Sequence, residues 1–131
     1  MEAESRIAVM IASDHPIMRD GLRLRIQQES DMYVVWEAGD RAEITRGLRS
    51  CRPDVVVLDL HLPQGVGVRA TNGIRGLSPP MPLVVLVDYP GEAPESRPAA
   101  RVCTVTVSKI SVNEQIIPAI RQVIAAARIP G

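Results

Sequence analysis

Three residues with the chemistry to handle an anion or a cation lie far apart in this chain: Asp14, Asp59 and Lys109. Each stands at or just past the end of an apolar run. Asp59 follows Val55-Val56-Val57-Leu58, Asp14 follows Ile7-Ala8-Val9-Met10-Ile11-Ala12-Ser13, and Lys109 follows a run closing on Val107-Ser108. Two ionised carboxylates brought together repel, so a site that keeps both charged usually holds a cation. Oxygen donors without His or Cys ligands favour Mg²⁺, which keeps several of its waters. A carboxylate is also a nucleophile able to form an aspartyl phosphate. A lysine beside it would share the charge of the phosphoryl oxygens. In that arrangement Asp59 is the nucleophile, Asp14 the metal ligand and Lys109 the counter-ion. Each has a plainer reading. Asp59 would accept backbone N–H groups in the turn after its strand, Asp14 would cap the next helix, and Lys109 would be solvated ahead of a helix.

Whether the three meet depends on the elements that carry them. The run around Val55–Leu58 is mostly β-branched and reads as a strand buried on both faces, as in a parallel sheet covered by helices. Ile7–Ala12 is a second such run. Pro16 suits a first helical position, with Asp14 or His15 as cap. Met18, Leu22 and Ile26 recur every four residues as the buried stripe of a helix reaching about Glu29. A shorter strand is predicted over 33–38, with Trp36 partly buried, then a turn at Gly39-Asp40. A helix follows over 41–50 with Ile44 and Leu48 inward. The glycine-rich Gln64-Gly65-Val66-Gly67 leads to a weak helix over 68–77, where Thr71-Asn72-Gly73 lowers the propensity. Leu83–Val87 reads as the fourth strand, 102–107 as the fifth, and 112–128 as the last helix. Ile116, Ile120, Val123 and Ala127 form the stripe of that helix, Ile117 and Ile124 widen it, and Pro118 is predicted to kink or loosen its first turns. Between the fourth and fifth strands Pro90, Pro94 and Pro98 recur every four residues, and an inner proline removes a helix hydrogen bond. An irregular crossover is predicted over 89–101, where a βαβ unit calls for a helix.

Strand and helix alternate five times. Right-handed crossovers then make a doubly wound α/β parallel sheet, five-stranded and flavodoxin-like in order 2-1-3-4-5, with its switch point between the first and third strands. That order sets Asp14 beside Asp59 at the carboxyl edge of the sheet and lets Lys109 reach in from the fifth strand. With 131 residues, 46% of them hydrophobic, the chain can bury one core, so residues 1–131 are read as one domain. Fifteen basic residues balance fifteen acidic ones, which gives no basic face for nucleic acid, and the absence of Phe removes stacking platforms. Cys51 and Cys103 match no metal spacing and read as free thiols in a reducing cytoplasm. The charged amino terminus lacks a signal-peptide core and no apolar run approaches a membrane span. The expectation is a soluble cytoplasmic domain that does not engage membranes.

The segments Ala12-Ser13-Asp14-His15-Pro16, Gly21-Leu22, Glu37-Ala38-Gly39-Asp40 and Arg52-Pro53-Asp54-Val55-Val56-Val57-Leu58-Asp59-Leu60-His61-Leu62-Pro63, with Gly67 and Lys109, carry a family resemblance. The chain resembles the receiver (CheY-like) domain of bacterial two-component response regulators, on the branch attached to LuxR/NarL-type DNA-binding domains. The likeness covers nearly the whole chain, is strong to Gly67 and thins between 68 and 107. It implies a signalling module and not an enzyme, with a sensor histidine kinase as partner and Asp59 as the phosphoacceptor. Mg²⁺ would be held by Asp59, by the acidic pair after the first strand, here including Asp14, and by the carbonyl of His61. Lys109 would pair with the phosphoryl group. Homodimerisation, and DNA contact only through an effector domain outside this chain, follow from the same likeness.

Three positions depart from that pattern. The acidic pair is Ser13-Asp14. One unit charge lost at about 4 Å forfeits up to roughly 4 kcal/mol at an effective dielectric of about 20, before solvent relaxation, so Mg²⁺ affinity should fall. The family's hydroxyl at the end of the fourth strand is Val87, which cannot donate a hydrogen bond, followed by Asp88, whose charge would repel a phosphate. The aromatic position of the fifth strand is Thr106, and the fourth helix is expected to be degenerate. One alternative is therefore a pseudo-receiver that dimerises or binds a small ligand without phosphorylation. Enzyme readings on the same architecture fit worse, because the loop after the first strand is acidic where a flavin phosphate loop is not, and position 61 is His where an aspartyl phosphohydrolase needs a second carboxylate. His15 and His61 read as exposed bystanders at the rim.

Overall fold

The computed structural model describes residues 5–77, 79–92 and 103–128. Five strands, β1 (Ile7–Ala12), β2 (Met32–Ala38), β3 (Val55–Asp59), β4 (Leu83–Val87) and β5 (Thr104–Ser108), form one parallel sheet in the order β2-β1-β3-β4-β5. Among the described residues four α-helices accompany them: α1 (Pro16–Gln27), α2 (Arg41–Ser50), α3 (Val66–Arg75) and α4 (Val112–Ala127). The doubly wound, flavodoxin-like topology expected from the alternation of runs is therefore present.

Side chains alternate across each strand, and the two faces bury separate cores. Ile7, Val9, Ile11, Val55, Val57, Val84 and Leu86 face Leu22 and Ile26 of α1 and Ile116, Ile120 and Val123 of α4. Met10, Ala12, Val56, Leu58, Val85 and Val87 face the other way, with Ile44 of α2 and Ile74 of α3. Met18 and Leu48 are half-buried at the margins of these cores. β1, β3 and β4 are buried along their full length, which explains their unbroken apolar runs. At the edge, β2 and β5 are only partly covered. Trp36 is half-buried, and its indole N–H donates to the Glu43 carbonyl at 2.9 Å.

The element bounds shift in places. α1 ends at Gln27, two residues short of the expected Glu29, and β5 runs Thr104–Ser108 against the predicted 102–107. α3 starts two residues earlier than expected, because a 3-10 turn at Pro63–Gly65 leads straight into it. Gln64 and Gly65 both take left-handed conformations there, with φ of 61° and 73°. α4 is one helix from Val112 to Ala127 with Pro118 inside it. Most of the proline-rich crossover over 89–101, the expected degenerate fourth helix, lies outside the described residues. Cys51 and Cys103 are both free.

Two contacts set the sheet edge that matters. A Cβ on Gly67 would collide with the carbonyl oxygens of Asp59 and Leu60, so the first turn of α3 lies directly on the backbone leaving β3. At the opposite end of the sheet, Asp54 Oδ2 accepts the Ala8 N–H at 2.7 Å and ties the start of β3 to β1. Gly67→Ala should push α3 away from Asp59 and lower stability by about 1–3 kcal/mol, the usual cost of overpacking a core, read by chemical denaturation. An unchanged midpoint would show that the contact yields freely.

Arg121 of α4 reaches the β2 end of the sheet, donating to Asp31 Oδ2 at 2.6 Å and Oδ1 at 3.1 Å, and to Glu29 Oε1 at 3.0 Å. The hydrogen bond from Arg121 holds the Asp31 carboxyl below the ordinary aspartate range. A depressed folded pKa contributes stability that is complete above the unfolded value of about 3.9 and disappears as pH falls through the folded one. Asp31→Asn should cost about 0.5–1 kcal/mol at pH 7, the range for a partly exposed pair. The difference from the parent protein should shrink towards zero when unfolding is measured below pH 3, and a gap that persists there would count against the ion pair as its source.

Candidate functional site

Asp59 is the last residue of β3, in register with Leu86 of β4, and has no exposed surface. Its Oδ1 accepts the His61 N–H at 2.9 Å and lies 3.0 Å from Lys109 Nζ. The plain reading of this carboxylate as a turn-former is thus half correct, since one oxygen does hold the turn. The other, Oδ2, is buried and accepts no hydrogen bond from any described residue.

Asp14 stands two residues past β1. The cap position of α1 belongs to His15, without a side-chain hydrogen bond, so the Asp14 carboxylate is not spent on capping. Its Oδ1 is also buried and accepts no hydrogen bond from any described residue, with His15 Nε2 at 3.6 Å. Oxygens of Asp14 and Asp59 and a ring nitrogen of His15 lie within 4.8 Å of one another. Two carboxylates this close, each with a buried oxygen that no described residue donates to, suit a hard divalent cation. Ser13 is fully buried, and its Oγ accepts the His15 N–H at 3.2 Å, which shapes the loop.

Lys109 opens a 3-10 turn, Lys109–Ser111, directly after β5. Ser108 Oγ accepts the Ile110 N–H and fixes that turn. The Lys109 ammonium touches two carboxylates, Asp59 Oδ1 at 3.0 Å and Asp88 Oδ1 at 3.0 Å. Burial pulls this ammonium down, but the hydrogen bonds to Asp59 and Asp88 outweigh it and hold Lys109 above the ordinary lysine value. The same hydrogen bond from Lys109 pulls the Asp88 carboxyl below its ordinary range. The three residues singled out by type and spacing are therefore in one pocket.

Sequence reasoning missed Glu92 and misjudged Asp88 and His61. Asp88 was expected only to repel a phosphate, and it pairs with Lys109. His61 was expected to be an idle rim residue. Its Nε2 lies 2.7 Å from Glu92 Oε2 and 3.5 Å from Asp88 Oδ2. Glu92 Oε1 in turn accepts the Asp88 N–H at 2.9 Å. With its ring engaged by these carboxylates, His61 meets Asp59 through its backbone. The rule that found Asp14, Asp59 and Lys109, polar groups just beyond buried strands, applies equally to Asp88 after β4. The three departures stand: Ser13 is not a carboxylate, Val87 is a buried apolar side chain at the end of β4, and Thr106 is exposed on β5.

The sequence profile of the response regulator receiver domain family matches residues 9–120. An uncharacterised transcriptional regulatory protein of Bacillus subtilis, YxjL, is 31% identical over 125 residues, covering 95% of this chain and 56% of that protein. The oxygen regulatory protein NreC of Staphylococcus epidermidis is 32% identical over 116 residues, covering 88% and 53%. The crystal structure of a LuxR-family two-component response regulator from Aurantimonas superposes with a TM-score of 0.74 at 29% identity, covering 92% of this chain and 86% of that one. The chain spans about half the length of the curated relatives it matches. With the profile matched over most of the chain and these relatives beside it, the chain belongs to the response regulator receiver domain family, in its LuxR/NarL-type branch.

Proposed function

We propose that this receiver works in the cytoplasm, accepts a phosphoryl group on Asp59 from a sensor histidine kinase and passes the change to a DNA-binding effector, attached or recruited, with homodimerisation as the step between. The observation that carries this reading is the state of the Asp59 carboxylate. One oxygen is fixed by the His61 N–H and Lys109, and the other is buried with its lone pairs unused. Oδ2 is the attacking atom. Its lone pair forms the new O–P bond as the P–N bond of the donor phosphohistidine breaks, and the imidazole departs with that electron pair and takes a proton. Lys109, already at the neighbouring oxygen, faces the negative charge that accumulates on the phosphoryl oxygens.

Asp14, Asp59 and the backbone carbonyl of His61 would be the ligands of Mg²⁺ here, and the ion would supply positive charge against the phosphoryl oxygens. The donor set is one carboxylate short of the family pattern. Ser13 donates no charge and its hydroxyl oxygen already serves the His15 N–H. The reading therefore includes weak metal binding. It includes no enzymatic turnover of a small substrate. Among the described residues no helix is long and apolar enough to cross a membrane.

Incubation with acetyl phosphate and millimolar Mg²⁺ should add one phosphoryl mass to the protein, and Asp59→Asn should abolish the addition. Label that survives in Asp59→Asn would move the acceptor elsewhere. Ser13→Asp restores the second carboxylate and should tighten Mg²⁺ binding at least about tenfold, a gain well inside the Coulomb limit for one charge at contact. Calorimetric titration reads this directly, and an unchanged affinity would mean that the metal does not sit against the loop after β1.

A further inference from the structure

Asp88 occupies a place that the acceptor chemistry would want clear. It follows β4 directly, and its Oδ1 sits at the same 3.0 Å from Lys109 Nζ as Asp59 does. It is not loosely placed. Its backbone N–H donates to Glu92 Oε1, and its other carboxylate oxygen faces His61 Nε2, which is itself paired with Glu92. Lys109 is the only lysine in the chain, all other fixed cationic side chains being arginine. The pocket thus has one ammonium and, before any phosphoryl group arrives, two anions already on it.

We propose that Asp88 is a positioning residue that competes with the phosphoryl group for Lys109 and so sets how readily Asp59 is loaded. This rests on the acceptor role of Asp59. A phosphoryl group on Asp59 brings more negative charge than the carboxylate it replaces, and Lys109 must turn towards it. Asp88 then loses its partner and faces an anion across a short gap, while the ligand must draw Lys109 from an existing ion pair. A hydroxyl at the end of β4 would have helped to hold a phosphoryl oxygen. Here Val87 supplies no donor and Asp88 supplies a rival acceptor. The consequence is a site that resists small phosphodonors and demands a high donor potential or a bound kinase.

The test uses the full chain as parent protein and as Asp88→Asn, Asp88→Ala and Asp88→Glu, with thermal melts to confirm folding. Labelling of Asp59 by acetyl phosphate with Mg²⁺ is followed by intact mass. Asn and Ala should reach half-labelling at about tenfold lower donor concentration, an ordinary size for coupling between two ligands of one group. Glu, which keeps the charge, should behave like the parent. A second readout needs neither metal nor phosphate. Acetylation by a limiting amine-reactive ester can reach only the amino terminus and Lys109, and the Lys109 rate should rise in Asn and Ala and stay low in Glu. Equal labelling and equal Lys109 reactivity across the four proteins would overturn the competition and leave Asp59 as acceptor. Absence of Asp59 label from all four, with or without a change at Lys109, would overturn the acceptor role and this inference together.

Discussion

The structure turns on one interaction, the ammonium of Lys109 against the carboxylate of Asp59, which has no exposed surface. A carboxylate removed from water costs several kcal/mol even after relaxation, and it persists only when paired and hydrogen-bonded. Lys109 supplies the charge and the His61 N–H supplies a second donor. Both depend on chain geometry at the carboxyl edge of the sheet. β5 must end beside β4 so that the turn at Lys109–Ser111 aims inward, and the backbone after β3 must turn under Asp59. Gly67 lets α3 close onto that turn. The two cores on either face of the sheet hold these ends rigid, which is how an apolar scaffold serves a charged pocket.

Around that pair the pocket departs from its family in one consistent direction. Negative charge is lost on the metal side, where Ser13 stands, and gained on the lysine side, where Asp88 stands. The net number of carboxylates is unchanged while their placement is different. The hydroxyl and the aromatic side chain through which the family transmits occupancy to its surface are Val87 and Thr106, one buried and apolar and the other facing solvent on an edge strand. In their stead the structure offers a chain of charged contacts, Asp59 to Lys109 to Asp88, then His61 and Glu92, running from the acceptor to the loop beyond β4.

How much of this could be read from the sequence follows from where the information is local. Buried central strands need apolar residues at every position, so β1, β3 and β4 were plain, and β4 matched to the residue. α2 also matched end to end, because Asp40 caps it by accepting the Glu43 N–H. α3 was placed late, since Gln64 and Gly65 in left-handed conformations belong to a turn that composition does not reveal. The edge strand β5 slipped by one to two residues because its half-buried Thr104 and Val105 and its exposed Thr106 blur the run. At the site, Asp14, Asp59 and Lys109 were found by strand ends and sheet order. Asp88 was seen as a charge without a partner, because its pairing depends on which way a lysine side chain turns, and spacing carries no such information. His61 was misjudged for the same reason, its partner Glu92 lying 31 residues away.

The claim on which everything else hangs is that Asp59 Oδ2 is the atom that receives phosphate. A crystal structure of the chain grown with Mg²⁺ and beryllofluoride tests it most directly. The account predicts density for beryllofluoride joined to Asp59 Oδ2, with Lys109 Nζ turned onto one of its fluorines. Beryllofluoride bound at another carboxylate, or an unmodified Asp59 at saturating fluoride and metal, would contradict it.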